Sequence, residues 1–140
     1  MARIEIYKAD DSALSLPLAE GVKAGFPSPA EDIPHMSLDI TSQIVKNPAS
    51  TFYAKVSGTS MIDDGIGDGD ILVVDKSVTP YNGCIAICFV DGEFTVKRLG
   101  REGQDWLLLP ANPKYRPIRL TQEDELTIWG VVTYVIKHLP

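Results

Sequence analysis

Residues Cys84-Ile-Ala-Ile-Cys-Phe-Val-Asp-Gly-Glu-Phe-Thr-Val-Lys-Arg-Leu99 decide the fold class. The first seven are apolar throughout and rich in strand formers. Asp91-Gly92 is a two-residue hairpin signal, because aspartate and glycine tolerate the left-handed backbone that such turns need. Residues 93–99 then supply the returning strand. Working outward, Gly100-Arg-Glu-Gly103 reads as a second turn, followed by strand candidates at Trp106–Leu109 and Tyr115–Leu120. The longest run is Leu126–Leu139, broken by Gly130, which predicts a bend or a bulge. Upstream, Phe52-Tyr-Ala-Lys-Val-Ser57 alternates Phe52, Ala54 and Val56 against Tyr53, Lys55 and Ser57. Ile71-Leu-Val-Val74 is a short buried run. Several short strands at this spacing, with few helical patterns, predict a compact all-β fold, and periodicity leaves barrel and sandwich equally open.

The N-terminal part follows a different regime. Of ten prolines in the chain, Pro17, Pro27, Pro29, Pro34 and Pro48 fall within the first 48 residues. Arg3–Tyr7 fits a short strand, with Ile4 and Ile6 on one face. Residues 8–37 show no sustained period, and Phe26-Pro-Ser-Pro29 must be extended. The expectation is an extended arm over residues 1–38, resistant to helix and sheet, ahead of a β-rich body over residues 39–140. Asp39–Asn47 fits one short helix, with Asp39 as N-cap and Pro48 ending it.

The whole chain has 140 residues, one domain's worth, and a net charge of −6. That balance argues against affinity built on phosphate neutralisation, which needs a cationic surface, and so against direct sequence-specific DNA binding. An apolar fraction of 44% with 23% charged residues is too hydrophobic for a disordered chain. No run approaches a membrane span, and the acidic N-terminus is unlike a secretory signal. A cytoplasmic location without membrane contact is the default. The basic residues Lys97, Arg98, Arg101, Lys114, Arg116 and Arg119 read as a solvated face.

The two cysteines, Cys84 and Cys88, lie four residues apart on one strand, roughly 13 Å at strand rise, too far for a disulfide. They are expected as free thiols in the core. No spacing of Cys84, Cys88, His35 and His138 resembles a zinc motif. The acidic run Asp63–Asp70 fails as a calcium loop, because Ile66 takes a ligand position, and reads instead as two glycine-supported turns. Nucleotide-binding glycine motifs are absent. No metal or cofactor is expected.

Ser57-Gly-Thr-Ser-Met61 carries the chemistry. It follows a predicted strand, and glycine before a short polar turn allows close backbone approach. A nucleophilic serine at position 60 needs a base, and both histidines are poorly placed in sequence. The remaining option is a Ser–Lys dyad with Lys97. On its strand Lys97 shares a face with Thr95 and Leu99. Lysine in water is only about one part in a thousand neutral near pH 7. Burial favours the neutral amine that a general base requires.

These motifs together, Ser57-Gly-Thr-Ser-Met61 followed by Glu93-Phe-Thr-Val-Lys-Arg98, resemble the self-cleaving LexA/UmuD peptidases. Ala24-Gly25-Phe-Pro-Ser-Pro29 is similar to the cleavage region of the UmuD branch, and Asp64–Asp75 and Gly130-Val-Val132 fit the same pattern. The resemblance runs from about Gly25 to His138. It implies a strongly bent β-sheet body, like that of LexA and signal peptidases, with an extended N-terminal arm. It implies Ser60 as nucleophile and Lys97 as general base, with the cut between Ala24 and Gly25. Backbone N–H groups of Thr59 and Ser60 would hold the oxyanion. It also implies cleavage stimulated by a RecA filament on single-stranded DNA in the SOS response. The truncated form would then act as a homodimer with a UmuC-type translesion polymerase. The arm from Gly25 to Leu38 can span up to about 48 Å, so it reaches its own Ser60 or a dimer partner's.

Three alternatives share parts of the pattern. A LexA-type repressor would need a DNA-binding domain before the cut, and the first 24 residues show no helical period. A type I signal peptidase would need a membrane anchor. A non-catalytic β-domain would use Ser60 and Lys97 structurally, and loss of self-cleavage in variants at those positions separates it from an enzyme.

Overall fold

The computed structural model describes residues 3–9, 15–19, 35–58, 65–90, 92–109, 116–120 and 126–140. Ten strands and one short helix are built from them. In chain order they are β1 (Arg3–Lys8), β2 (Ser15–Ala19), β3 (His35–Asp39), α1 (Ile40–Ile44), β4 (Thr51–Ser57), β5 (Ile71–Asp75), β6 (Ile85–Val90), β7 (Glu93–Glu102), β8 (Asp105–Leu109), β9 (Ile118–Leu120) and β10 (Leu126–Ile136). Eight strands form one antiparallel sheet in the order β1-β4-β5-β10-β6-β7-β8-β9, and β2 pairs with β3 as a separate ribbon. The expected all-β architecture is found, as an open, bent sheet.

The hairpin that opened the reading is β6–β7, paired from Ile85↔Arg98 to Val90↔Glu93, with Gly92 at φ 84°. The second turn lies later than expected. β7 continues through Gly100 to Glu102, and Gly103 turns the chain at φ 62°. Gly100 stays in the strand, paired with Leu107, and a Cβ there would sit 3.2 Å from a Leu109 methyl. Asp39 caps α1, its carboxylate accepting from the Ser42 N–H at 3.2 Å. The helix is a single turn, closed by Val45 N–H to the Thr41 carbonyl.

Two described parts of the N-terminal segment pair as strands, while Phe26-Pro-Ser-Pro29, expected to be extended, lies outside the described residues. β1 runs antiparallel to β4 from Arg3↔Ser57 to Lys8↔Phe52. β2 pairs with β3 from Ser15↔Asp39 to Ala19↔His35, with Pro17 opposite Ser37. A two-stranded ribbon has an open edge on each strand, and an edge position tolerates the missing proline N–H. This is where the expectation that the arm resists sheet gives way.

β10 is the hinge of the architecture. Its first half pairs with β6, from Leu126↔Val90 to Val131↔Ala86, and its second half with β5, from Val131↔Asp75 to Ile136↔Ile71. The register shifts twice, between Ile128 and Gly130 and between Val132 and Tyr134. The first shift falls at the expected glycine. A Cβ on Gly130 would meet Val74 Cγ1 at 2.6 Å, closer than carbon atoms approach, so only glycine lets β5 fold over β10 here.

The bend creates two cores. One gathers Ala54, Val56, Ile66, Leu72, Val74, Ile87 and Val96, with Ile4 of β1 and Phe94 of β7 packed against it. Strands at distant positions in the sheet therefore meet across this core. Trp129 centres an aromatic group, with Phe52 at 4.9 Å and Phe94 at 5.8 Å in edge-on geometry. The other core, on the opposite face, holds Cys84, Ala86, Cys88, Leu99, Leu108, Leu120 and Val131. Both cysteines are free and buried, as expected. Among the described residues, no helix is long and apolar enough to cross a membrane.

Candidate active site

Lys97 stands in the middle of β7, half-buried and directly opposite Ala86 of β6. Strand alternation places it with Thr95 and Leu99 on the face of the second core, the face Cys88 also occupies. The two groups feel each other. Burial, then Cys84, push the Cys88 thiol up to about 12, and the Lys97 charge pulls against that rise. Lys97 is thus held on a strand ladder, on the face that carries the second core.

Ser60, Thr59, Ala24 and Gly25 lie outside the described residues, but the two ends of the segment that carries Ser60 are defined. β4 delivers the chain to Gly58, which adopts φ 105°, a left-handed conformation that favours glycine. The Gly58 N–H donates to Asp68 Oδ1 at 2.9 Å. Further along, Val56 N–H donates to the Asp70 carbonyl at 2.9 Å, and Gly69 N–H to the Val56 carbonyl at 2.8 Å. Residues 58 and 68–70 are therefore fastened together at the end of β4. Ile66, only 1% exposed, plugs the segment into the first core.

Asp70 completes the anchor. It is 3% exposed, accepts from the Gly67 N–H at 2.8 Å, and pairs with Lys137 Nζ at 2.5 Å. Gly65 and Gly69, at φ 79° and 84°, make the two glycine-supported turns expected of this acidic run. Among the described residues no group of three or more His, Cys, Asp or Glu gathers as metal ligands, and Asp68 and Asp70 bond to backbone instead. Sequence reasoning missed these anchors. Asp68 had a local cue in its glycine-rich turn. Lys137 had none, because its partner lies 67 residues away.

The basic residues are largely spoken for. Arg119 bridges Glu102 at 2.7 Å and Asp105 at 2.9 Å, Arg101 stacks on Trp106 at 4.5 Å, and Arg98 donates to the Gly83 carbonyl at 2.6 Å. A groove of about 480 Å³ on the outer side of β4 is lined by Tyr7, Ile40, Thr41, Ile44, Tyr53, Lys55, Ile71 and Ile136. Lys97 is not among its walls.

A bent antiparallel sheet, a Ser-Gly-x-Ser sequence whose Gly58 is anchored to Asp68, and a half-buried strand lysine are the features a serine peptidase of the Ser–Lys class requires. The chain belongs to the Peptidase S24-like family, whose model matches residues 17–133. It is 41% identical over 135 residues to Protein ImpA of Salmonella typhimurium, covering 92% of this chain and 88% of that one. Protein SamA of Salmonella typhimurium LT2 is 44% identical over 117 residues, covering 84% and 81%. Protein MucA of Salmonella typhimurium is 36% identical over 141 residues, covering 97% and 96%. With these relatives, the chain is a self-cleaving serine endopeptidase of SOS mutagenesis, of the UmuD kind.

Proposed function

We propose that Ser60 is the nucleophile and Lys97 the general base, and that the chain cuts itself between Ala24 and Gly25. The observation that carries this reading is the half-buried place of Lys97 on β7, facing Cys88 and Leu99. Neutral Lys97 takes the Ser60 hydroxyl proton as Oγ bonds to the Ala24 carbonyl carbon. Backbone N–H groups of Thr59 and Ser60 stabilise the oxyanion. The Ala24–Gly25 C–N bond then breaks, and the departing Gly25 nitrogen takes the proton from Lys97. Water, deprotonated by the same amine, hydrolyses the Ser60 ester, leaving the Ala24 carboxylate and a free serine.

In this reading residues 1–38 are a removable arm and residues 39–140 the peptidase body. The protein acts in the cytoplasm as a homodimer. A RecA filament on single-stranded DNA promotes the cut, and the shortened form serves a UmuC-type translesion polymerase. Its acidic balance suits a protein whose dealings with DNA run through protein partners.

Mass spectrometry of the purified chain tests the assignment. Alkaline incubation is expected to yield residues 1–24 and 25–140. A RecA filament is expected to give the same products near neutral pH. Ser60→Ala and Lys97→Ala should each abolish cleavage under both conditions. Cleavage at the wild-type rate in either variant removes that residue from the dyad.

A further inference from the structure

We propose that cleavage does not by itself release the N-terminal fragment: β1 stays docked on the edge of β4 as a non-covalent strand ligand, and β4 becomes a free strand-binding edge only when that fragment leaves. The inference rests on the Ala24–Gly25 cut proposed above. Both ladders made by the N-terminal segment straddle that bond. β1 lies before the cut and its partner β4 after it, and the same is true of β2 and β3. Breaking one peptide bond between them removes no ladder hydrogen bond.

β1 is built into the body rather than laid upon it. Ile4 opposes Val56 and packs against the first core. Ala9 is 7% exposed and its N–H donates to the Thr51 carbonyl at 3.2 Å, extending the pairing beyond the strand. Lys8 Nζ donates to the Pro48 and Ala49 carbonyls at 2.9 and 2.7 Å, and lies 4.4 Å from the centre of the Phe52 ring. Tyr7 forms one wall of the apolar groove completed by Ile44, Tyr53, Ile71 and Ile136. Strand addition of this kind takes affinity from main-chain bonds and selectivity from alternate side chains. Here the alternation is Ile4 and Ile6 against Glu5 and Tyr7, and residues 3–9 are the occupant for which the edge is shaped. Scission and uncovering of β4 are then separate events, and dissociation of the fragment sets the second.

Size-exclusion chromatography of the self-cleaved chain at tens of micromolar, with mass spectrometry of each fraction, is the test. Mass spectra report whether the cut lies after Ala24, and elution reports retention. In a second preparation a site-specific protease cuts an engineered recognition sequence replacing residues 20–25, so retention is read even if self-cleavage occurs elsewhere. Co-elution of the fragment with the body, and continued slow hydrogen exchange at the β4 amides facing β1, are expected. Ile4→Asp should move the fragment to the free-peptide volume and speed exchange at those amides. If that variant fails to fold, Lys8→Ala, which keeps the core intact, should accelerate fragment loss. A wild-type fragment that separates on the column, or one held equally tightly in the variants, overturns the proposal.

Discussion

Asp75 shows how much one side chain can organise. It is 6% exposed at the end of β5 and accepts from Asn47 Nδ2 at 3.1 Å, Ser50 Oγ at 2.8 Å, and the Ser77 N–H and Oγ at 2.8 and 2.6 Å. Burial alone would raise its pKa. The bonds from Ser77, Asn47 and Ser50 outweigh burial and hold it at about 2, below the ordinary 3.8. A lowered carboxylate pKa means stability present above the unfolded value and lost as pH falls through the folded one. Asp75→Ala should therefore cost about 2 kcal/mol in urea unfolding at pH 7, with the gap from wild type closing as pH approaches 2. Cys88 works in the opposite sense. Its thiol stays protonated in the native state up to about 12, whereas an ordinary cysteine thiol ionises near 9.0. Between those values the unfolded chain has lost a proton that the native one keeps, so stability falls as pH rises. Cys88→Ala should reduce the slope of unfolding free energy against pH by one proton across that window. The cysteine reading was available from sequence, because an apolar strand run and a fixed rise were enough. The Asp75 cluster was not, since its partners come from the turns before β4 and after β5.

At the scale of elements, the segment between β4 and β5 has its ends fixed by backbone and its plug in the core. Removing Asp68 frees the Gly58 N–H at the approach to Ser60. Asp68→Ala should cost about 1 kcal/mol or less in stability, because the bond is exposed and neutral-to-charged, yet slow self-cleavage several-fold. Thermal unfolding and cleavage rate measured on the same sample check the split; equal rates for variant and wild type would remove Asp68 from the positioning of the loop. Strands such as β4, β6 and β7 were legible because each alternates or runs apolar between turn residues. The β2–β3 ribbon was not. Prolines mask its period, and its pairing joins residues as far apart as Ser15 and Asp39 rather than resting on any local signal. Of the proposed site, Ser60 and Lys97 could be found by motif. The anchors Asp70 and Lys137 could not, because an ion pair across 67 residues leaves no local mark.

For the whole molecule, the strand order carries what periodicity could not. Nothing in the run Leu126–Leu139 announces that it inserts between β5 and β6, although Gly130 marked where it would bend. Gly130→Ala forces a carbon into Val74, and should cost about 1–3 kcal/mol by overpacking where the two halves of the sheet meet. Urea unfolding monitored through Trp129, which packs beside this crossing, reads the loss directly.

The central place of β10 also sets an order in time. The other seven strands of the main sheet precede β10 in the chain and fall into two groups: β1-β4-β5, which leads to Ser60, and β6-β7-β8-β9, which holds Lys97. Among the described residues, the ladders that join the two groups are those with β10. The main sheet therefore stays in two pieces until β10 is made and pairs with both. Among the described residues, the approach to the proposed nucleophile and the strand of the proposed base are thus joined by hydrogen bonds through one strand, so whatever loosens β10 loosens both at once.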